Sequence, residues 1–327
     1  MKTLIENFSG QLTEAVSIGE AADLTPCNKT LTNVLVSGLG GSGIGGTIVS
    51  QLVAGDASVP INVNKEYGIP KYIDKNSLVI ISSYSGNTEE TLQSMEYAMA
   101  SGAEVACITS GGEVLKSAQE NNLNHIVVPG GMPPRSCLGY SLTQLLYLLD
   151  HYGITSYDFR KDLNASIDLL VQEEDSIKVE AKHVAESLQN KIPIIYSTSS
   201  FEGVSIRFRQ QINENSKMLC WHHVFPEMNH NELVGWRDKS ESIAVVLLRN
   251  DNDPERVKTR IEICRDIFSK YTSTIIEINS KGSSTLENTF YHIHLGDWIS
   301  WYLSEINQVD AMEIDVINFL KNELSKQ

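Results

Sequence analysis

The sequence predicts an α/β protein built on doubly wound parallel sheets. Short runs of apolar and β-branched residues, such as 33–37 and 77–82, alternate with longer segments of helical periodicity. This strand–helix alternation begins again at Ile194. The 327 residues also exceed what one hydrophobic core ordinarily holds. We therefore expect two domains of similar plan, with ligands bound outside the carboxyl ends of their strands.

The first half of the chain supplies the elements of one such domain. An N-terminal helix is predicted over 2–24, and a buried strand at 33–37 leads through a glycine-rich turn into a helix that ends near Val53. The further predicted strands are 61–64, 77–82, 103–108 and 124–128, and the further helices are 88–101, 112–121 and 138–151. We place this domain at residues 1–153.

The second half repeats the scheme. Residues 159–191 contain few glycines or prolines and predict one or two linking helices. The predicted strands begin at 194, 243 and 274, and the predicted helices are 202–219, 254–270, 285–306 and 311–325. We place the second domain at residues 154–327, and the repetition suggests an internal duplication.

Composition and charge exclude several classes of protein. The residues are 41% hydrophobic and 20% charged, and no apolar run is long enough to span a membrane. The first residues lack the apolar core of a signal peptide, and the five cysteines lack CxxC spacing, so we expect a cytoplasmic protein with reduced thiols. A net charge of −15 argues against binding nucleic acid. An anionic ligand must then be held by local groups.

Two loops have the composition of anion sites. Residues 38–46 are rich in glycine and follow the first strand, and residues 83–91 place Ser83, Ser85, Gly86 and Thr88 between a strand and a helix. Hydroxyl groups and the unpaired N–H groups of a helix N-terminus both donate hydrogen bonds to phosphate oxygens. Both loops leave carboxyl ends of predicted neighbouring strands. We expect them to face one ligand.

A dinucleotide-binding domain is the rival interpretation of the first loop. Gly38, Gly40 and Gly43 match the spacing of the dinucleotide fingerprint, and Glu66 lies at a suitable distance downstream. However, Ser42 adds a hydroxyl to the turn, and the second phosphate-type loop has no role in that motif. One compact phosphate ester held between two loops accounts for both observations.

The motifs together resemble the sugar isomerase (SIS) domain, and specifically the bifunctional phosphoglucose/phosphomannose isomerase family. The resemblance rests first on residues 38–46 and 83–91. It extends over nearly the whole chain through residues 133–135, 213–215, 226–232, 296–302 and 320–321. It implies two SIS domains in tandem and an aldose–ketose isomerase of hexose 6-phosphates. It further implies a homodimer with the active site at the dimer interface, and neither a metal nor another cofactor.

The same resemblance implies roles for individual residues. Arg135 would stabilise an enediolate, Glu214 would move the proton between C1 and C2, and His230 with Lys321 would open the sugar ring. The residues implied to hold the substrate phosphate are Gly41, Ser42, Ser83, Ser85 and Thr88. These types of residue suit the chemistry, because proton transfer between adjacent carbons needs one carboxylate that reaches both, and the enediolate needs a fixed cation.

Alternatives remain for most of these positions. Glu227 and Glu232 compete with Glu214 as the base, and His222 and His223 compete with His230. Alone, Arg135 reads as a solvated loop residue, and Lys321 reads as a lysine that complements the dipole of the C-terminal helix. A group of Asp238, His292, His294 and Asp297 is a weaker candidate for a metal site.

A phosphosugar-sensing SIS module is the alternative from another functional class. It would need the phosphate loops but not the catalytic residues. Such sensors usually carry a DNA-binding domain, and no helix-turn-helix pattern or basic patch precedes residue 30. The sequence therefore favours an enzyme.

Overall fold

The structure, a computed structural model, describes residues 1–326. Its strands pair in parallel, as the alternating pattern predicts. The strands are β1 (Asn33–Ser37), β2 (Ile61–Asn64), β3 (Ser77–Ser83), β4 (Glu104–Thr109), β5 (Asn124–Val127), β6 (Ile192–Thr198), β7 (Trp221–Phe225), β8 (Ile243–Arg249) and β9 (Ile275–Asn279). They form two separate sheets.

The helices connect the strands in the order expected for doubly wound sheets. They are α1 (Lys2–Glu6), α2 (Phe8–Glu20), α3 (Gly40–Leu52), α4 (Glu89–Ala100), α5 (Gly112–Glu120), α6 (Leu138–His151), α7 (Phe159–Leu188), α8 (Glu202–Ser216), α9 (Glu255–Phe268), α10 (Thr285–Ile306) and α11 (Asp315–Leu324). Short 3₁₀ turns lie between some of them, including Pro134–Ser136 and Glu227–His230. No helix within residues 1–326 is long and apolar enough to cross a membrane.

The chain divides into two compact units. The N-terminal unit comprises residues 6–171 with 282–287, and the C-terminal unit comprises residues 1–5, 172–281 and those from Asn288 onward. Three of the four points of division fall within helices, namely α1, α7 and α10, and the fourth lies between β9 and α10. The boundary at 153/154 stays a prediction.

The sheet of the N-terminal unit has the order β2-β1-β3-β4-β5. β3 is buried along its whole length, which explains its continuous apolar and small side chains. In the core on one face of this sheet, Leu35, Val79, Ile81 and Cys107 pack against Met95 of α4. Strand order reverses between β1 and β3, so this sheet opens a ligand-binding crevice at the carboxyl ends of those two strands.

The sheet of the C-terminal unit has the order β7-β6-β8-β9, which repeats the first four positions of the other sheet. The sequence predicts only three strands here, and β7 is not among them. Its sequence, Trp-His-His-Val-Phe, has no apolar run because β7 is an edge strand whose first three residues are partly exposed. Its last residue, Phe225, joins a core with Val245, Leu247 and Phe268.

The C-terminal unit buries two histidines of α10, His292 and His294, in keeping with the interpretation of both as structural residues. His292 of α10 is 3% exposed, and its Nε2 lies 3.1 Å from Oδ1 of Asn250. Burial lowers the pKa of His292 to about 4, because the charged imidazolium would lose its hydration. The folded protein therefore holds this side chain neutral over a range of pH in which an unfolded chain would protonate it.

This histidine should make stability fall with acid. Its folded pKa of about 4 lies below the unfolded value of 6.5, so its contribution is complete above pH 6.5 and is lost as pH falls toward 4. The full loss is about 3 kcal/mol. Between pH 7 and 5, the free energy of unfolding measured in urea should fall by about 2 kcal/mol less in His292→Gln than in the wild type.

The exposed His183 supplies the matched control, because its side chain is 75% accessible. His183→Gln should keep the wild-type dependence on pH. If the free energy of unfolding fell equally in the wild type and in His292→Gln, the lowered pKa of His292 would be contradicted.

Candidate functional site

The loops after β1 and β3 lie side by side at the carboxyl edge of the N-terminal sheet. β1 and β3 are hydrogen-bonded neighbours, as the two-loop interpretation requires. Ser42, in the first turn of α3, is 8% exposed, and its Oγ accepts a hydrogen bond of 3.0 Å from the backbone N–H of Tyr84. A hydroxyl that accepts this bond still has its own proton to donate. Ser42 therefore joins the two loops and retains a donor.

The loop from Ser83 to Thr88 is held in a tight turn. The Oγ of Ser83 lies 3.5 Å from Oγ1 of Thr88, and Gly86 has φ of +69°. A Cβ at Gly86 would lie 1.8 Å from the carbonyl oxygen of Gly111, so a side chain is excluded there. This close approach sets the shape of the loop, while Ser85 stays exposed.

Thr88 is the N-cap residue of α4, as expected. Within the described chain its side chain makes no capping hydrogen bond. The first N–H groups of α4 consequently have no side-chain acceptor at the cap, and the positive end of the helix dipole faces the loop. Both features favour a bound anion.

Arg135 is buried and does not lie in solvent. It sits in the 3₁₀ turn Pro134–Ser136 and is 4% exposed. This turn touches the start of α3, because a Cβ on Gly41 would lie 2.9 Å from the carbonyl oxygen of Pro134. The interpretation of Arg135 as a solvated loop residue is wrong. The structure brings a buried cation next to the glycine loop.

Tyr84 is a residue of this site that the sequence analysis missed. Its hydroxyl donates to the carbonyl of Pro129 at 2.9 Å and accepts from the N–H of Met132 at 3.2 Å. The only sequence signal was an aromatic residue within a loop of hydroxyl residues and glycine. Tyr84 ties the phosphate-type loop to the segment that leads into Arg135.

A cavity of about 10 Å³ lies beneath these loops, between Ser42, Tyr84 and Cys137. This volume is enough for about one water molecule. A ligand larger than water would have to lie on the open side of the loops, where Ser85 is exposed and Thr88 is half-buried.

The three other candidate residues lie in the C-terminal unit. Glu214 is half-buried in the last turn of α8, and its backbone carbonyl accepts a hydrogen bond of 2.5 Å from Nζ of Lys217. The side chains beside it hold the end of α8: Asn213 donates to the carbonyl of Met218, and Asn215 donates to Oγ of Ser300. Glu214 therefore stands on a helix whose end is fixed by neighbouring amides.

His230 and Lys321 are both exposed. His230 ends the 3₁₀ turn Glu227–His230, and Lys321 lies on α11. All four rival residues have structural partners, and Nε2 of His222 lies 3.9 Å from Oε1 of Glu202. His223 Nδ1 accepts the backbone N–H of Val224 at 2.8 Å, and the carboxylate of Glu232 accepts the hydroxyl of Tyr196. Glu227 also accepts a bond of 2.9 Å from Nδ2 of Asn231.

The residues of the candidate metal site bond to other groups of the protein. His292 bonds to Asn250, His294 bonds to Glu174, and Asp297 forms a buried ion pair with Arg207. Across residues 1–326, no three or more His, Cys, Asp or Glu side chains are grouped so that they could hold a metal ion.

Comparison with known proteins identifies the family. Residues 177–324 match the model of the bacterial phospho-glucose isomerase C-terminal SIS domain. The chain is 35% identical to the bifunctional phosphoglucose/phosphomannose isomerase of Caldicellulosiruptor bescii, over 98% of both chains. The chain belongs to the bifunctional phosphoglucose/phosphomannose isomerase family.

Two further comparisons agree, the first with membership of this isomerase family and the second with the fold alone. The enzyme of the same name from Aquifex aeolicus is 35% identical over 94% of this chain and 93% of its own. The C-terminal domain of glucosamine-fructose-6-phosphate aminotransferase from Francisella tularensis has the same fold, with a TM-score of 0.75 and 12% identity, over 94% of this chain and 96% of that one. The predicted tandem SIS fold is confirmed.

Proposed function

We propose that the protein is an aldose–ketose isomerase that interconverts glucose 6-phosphate and mannose 6-phosphate with fructose 6-phosphate. The observation that carries this proposal is 35% identity, over 98% of both chains, to an enzyme named for the phosphoglucose and phosphomannose activities. The geometry of the N-terminal unit supports it. Two anion-type loops and a buried arginine meet at one edge of a sheet.

The substrate phosphate binds at these two loops. Hydroxyl donors and the uncapped start of α4 supply hydrogen bonds to its oxygens. The residues assigned to the phosphate are Gly41, Ser42, Ser83, Ser85 and Thr88. Gly41 contributes by having no side chain, because a Cβ there would keep the turn that carries Arg135 away from α3.

Arg135 stabilises the cis-enediolate that forms when the proton leaves C2. A buried guanidinium acts in surroundings of low dielectric constant, where its attraction to a developing negative charge is stronger than in water. Tyr84 steadies this arginine indirectly through its two bonds to the segment at 129–132.

Glu214 is the base that carries the proton between C1 and C2. It is placed on a helix, which holds a catalytic side chain more steadily than a loop. The two rival carboxylates, Glu227 and Glu232, accept hydrogen bonds from Asn231 and Tyr196. His230 and Lys321 open and close the sugar ring, since a histidine exchanges protons near neutral pH.

A sensing module would need the phosphate loops alone. It has no use for a buried arginine beside them, and the relatives named above are enzymes. The isomerase is therefore the better account.

The functional form is a homodimer in which His230 enters the partner's site. The support is the exposure of His230 and of one apolar face of α11, where Val316, Phe319 and Leu320 are 81%, 66% and 58% exposed. These residues lie three and four positions apart and so share one side of the helix. We also place the enzyme in the cytoplasm, in keeping with its five free cysteines.

Both hexose phosphates should be turned over. In coupled assays, glucose 6-phosphate and mannose 6-phosphate should each yield fructose 6-phosphate, with activity unchanged after treatment with a chelator. Activity on neither sugar would overturn the function. Loss on chelation that zinc or manganese restores would overturn the metal-free mechanism.

Glu214→Gln should remove the base while keeping the size of the side chain. Turnover should fall by about 10²–10⁴-fold, the contribution of a general base. Exchange of the C2 proton with solvent deuterium, followed by NMR, should stop as well.

Glu227→Gln is the matched control for this variant, since it removes a nearby rival carboxylate. It should exchange the C2 proton at close to the wild-type rate. The reverse pattern would assign the base to Glu227.

Inactive chains should complement each other if His230 crosses the dimer. In a mixed dimer of Glu214→Gln with His230→Ala, one site receives both functional residues and the other receives neither. Random exchange then restores about a quarter of wild-type activity, because half of the dimers are mixed and half of their sites are complete.

Subunit exchange is verified by native mass spectrometry, and a mixture of Glu214→Gln with a chain carrying both substitutions is the inactive control. Absence of recovery after verified exchange would place His230 in its own chain's site.

A further inference from the structure

The turn that carries Arg135 is bonded to α2 as well as packed against α3. Gln11 of α2 donates a hydrogen bond from Nε2 to the backbone carbonyl of Ser136 at 2.8 Å. Ser136 follows Arg135 directly and is the last residue of the 3₁₀ turn Pro134–Ser136. The N-terminal helix of this unit therefore holds the backbone beside the buried arginine.

Gln11 is a polar residue in an otherwise apolar face of α2. Its side chain is 4% exposed. The other buried residues of this helix are Phe8, Leu12, Ala15 and Gly19. Their spacing of three or four positions from Gln11 places them on the same side of the helix. A buried amide costs free energy that an apolar side chain would not, unless it is hydrogen-bonded. What Gln11 adds to this face is its bond to Ser136.

The start of α6 leaves room for this amide. Gly139 is the second residue of α6, and a Cβ there would lie 2.5 Å from Oε1 of Gln11 and 3.1 Å from Cδ2 of Leu12. Heavy atoms cannot approach so closely, so a side chain at this position would displace the amide. The packing of α2 on α6 thus depends on a glycine beside Gln11.

The bond from Gln11 acts on the turn as a unit. The N–H and the Oγ of Ser136 both donate to the carbonyl of Pro133, at 2.9 Å and 2.8 Å. The N–H of Cys137 donates to the carbonyl of Pro134 at 3.1 Å. These bonds tie Ser136 to the start of its own turn. A shift of the Ser136 carbonyl would therefore move Arg135 with it.

Gln144 of α6 shows what a glutamine that only joins the helices looks like. It is fully buried, and its Nε2 donates to the carbonyl of Ala15 in α2, also at 2.8 Å. The two bonds agree in donor, length and burial. They differ in the acceptor, because that of Gln144 lies within a helix and that of Gln11 lies in the turn that carries Arg135.

We propose that Gln11 is a positioning residue for the isomerase reaction, which fixes the turn so that the guanidinium of Arg135 lies where the charge of the enediolate develops. Stabilisation of such a charge depends on groups that are already in place before the reaction. The proposal rests on the proposed function, because it takes Arg135 as the group that stabilises the enediolate.

Gln11→Leu removes the donor and keeps a side chain of similar volume. With glucose 6-phosphate, kcat should fall by about 10- to 100-fold, because a shift of about 1 Å in a catalytic group can cost this much. KM should stay close to the wild-type value, since the phosphate loops are untouched and the lost interaction is made in the transition state.

Gln144→Leu is the matched control, because it removes a buried bond of the same length between the same two helices. Its midpoint of urea unfolding should fall about as much as that of Gln11→Leu, while its kcat should equal that of the wild type. Equal losses of kcat in the two variants would overturn the proposal, and so would a wild-type kcat in folded Gln11→Leu.

Gly139→Ala tests the same bond should Gln11→Leu fail to fold. The added Cβ displaces the amide of Gln11, although alanine favours a helix more than glycine does. We expect a loss of kcat with KM unchanged, as in Gln11→Leu. If Gly139→Ala kept the wild-type kcat in that case, the proposal would be wrong.

Two measurements separate this proposal from the proposed function. Hydrogen exchange of the amides of 135–137 needs no activity and should be faster in Gln11→Leu than in Gln144→Leu; equal rates would remove the link between Gln11 and the turn. Arg135→Met, assayed beside them, should lose more of kcat than Gln11→Leu. Full activity in Arg135→Met would refute the role of the arginine in the proposed function instead.

Discussion

The hydrogen bond from the backbone of Tyr84 to the hydroxyl of Ser42 holds the candidate site together. It joins the loops after β1 and β3, two strands that are adjacent in the sheet although 39 residues (38–76) lie between them in sequence. The loops can meet only because glycines leave room. Gly86 lies against the carbonyl of Gly111, and Gly41 lies against that of Pro134. A side chain at either position would separate the elements that carry the proposed phosphate site.

The two units share a topology but have diverged in chemistry. The N-terminal crevice keeps hydroxyl donors, an uncapped helix start and a buried arginine, which together suit a phosphate and a developing enediolate. In the C-terminal unit, neutral donors already hold Asp253 in the loop after β8. The residues assigned to proton transfer and ring opening stand elsewhere in that unit, on α8, on α11 and in the turn after β7. The two units share a fold, but each carries different groups of the proposed reaction.

Much of the fold was predictable because its signals are local. Continuous apolar runs identified the buried strands such as β3, and the glycine and hydroxyl residues identified both loops. The edge strand β7 escaped detection because half-exposed histidines replace an apolar run there. The roles of Glu214, His230 and Lys321 came from the family resemblance, since no local pattern distinguishes a catalytic acid from a surface one.

The sequence by itself determined the alternation of strands and helices, the two-unit plan and the phosphate-type loops, because each depends on residues that are neighbours in the chain. Only the tertiary structure decided the state of individual polar groups. Burial of Arg135 depends on contact with α3, and the carboxylate of Glu232 is engaged by Tyr196, which lies 36 residues away. Asp253 likewise reads as an ordinary loop acid until β6 and β8 enclose it. Hydration and hydrogen bonding are set by whatever the fold brings near, and that information is not local.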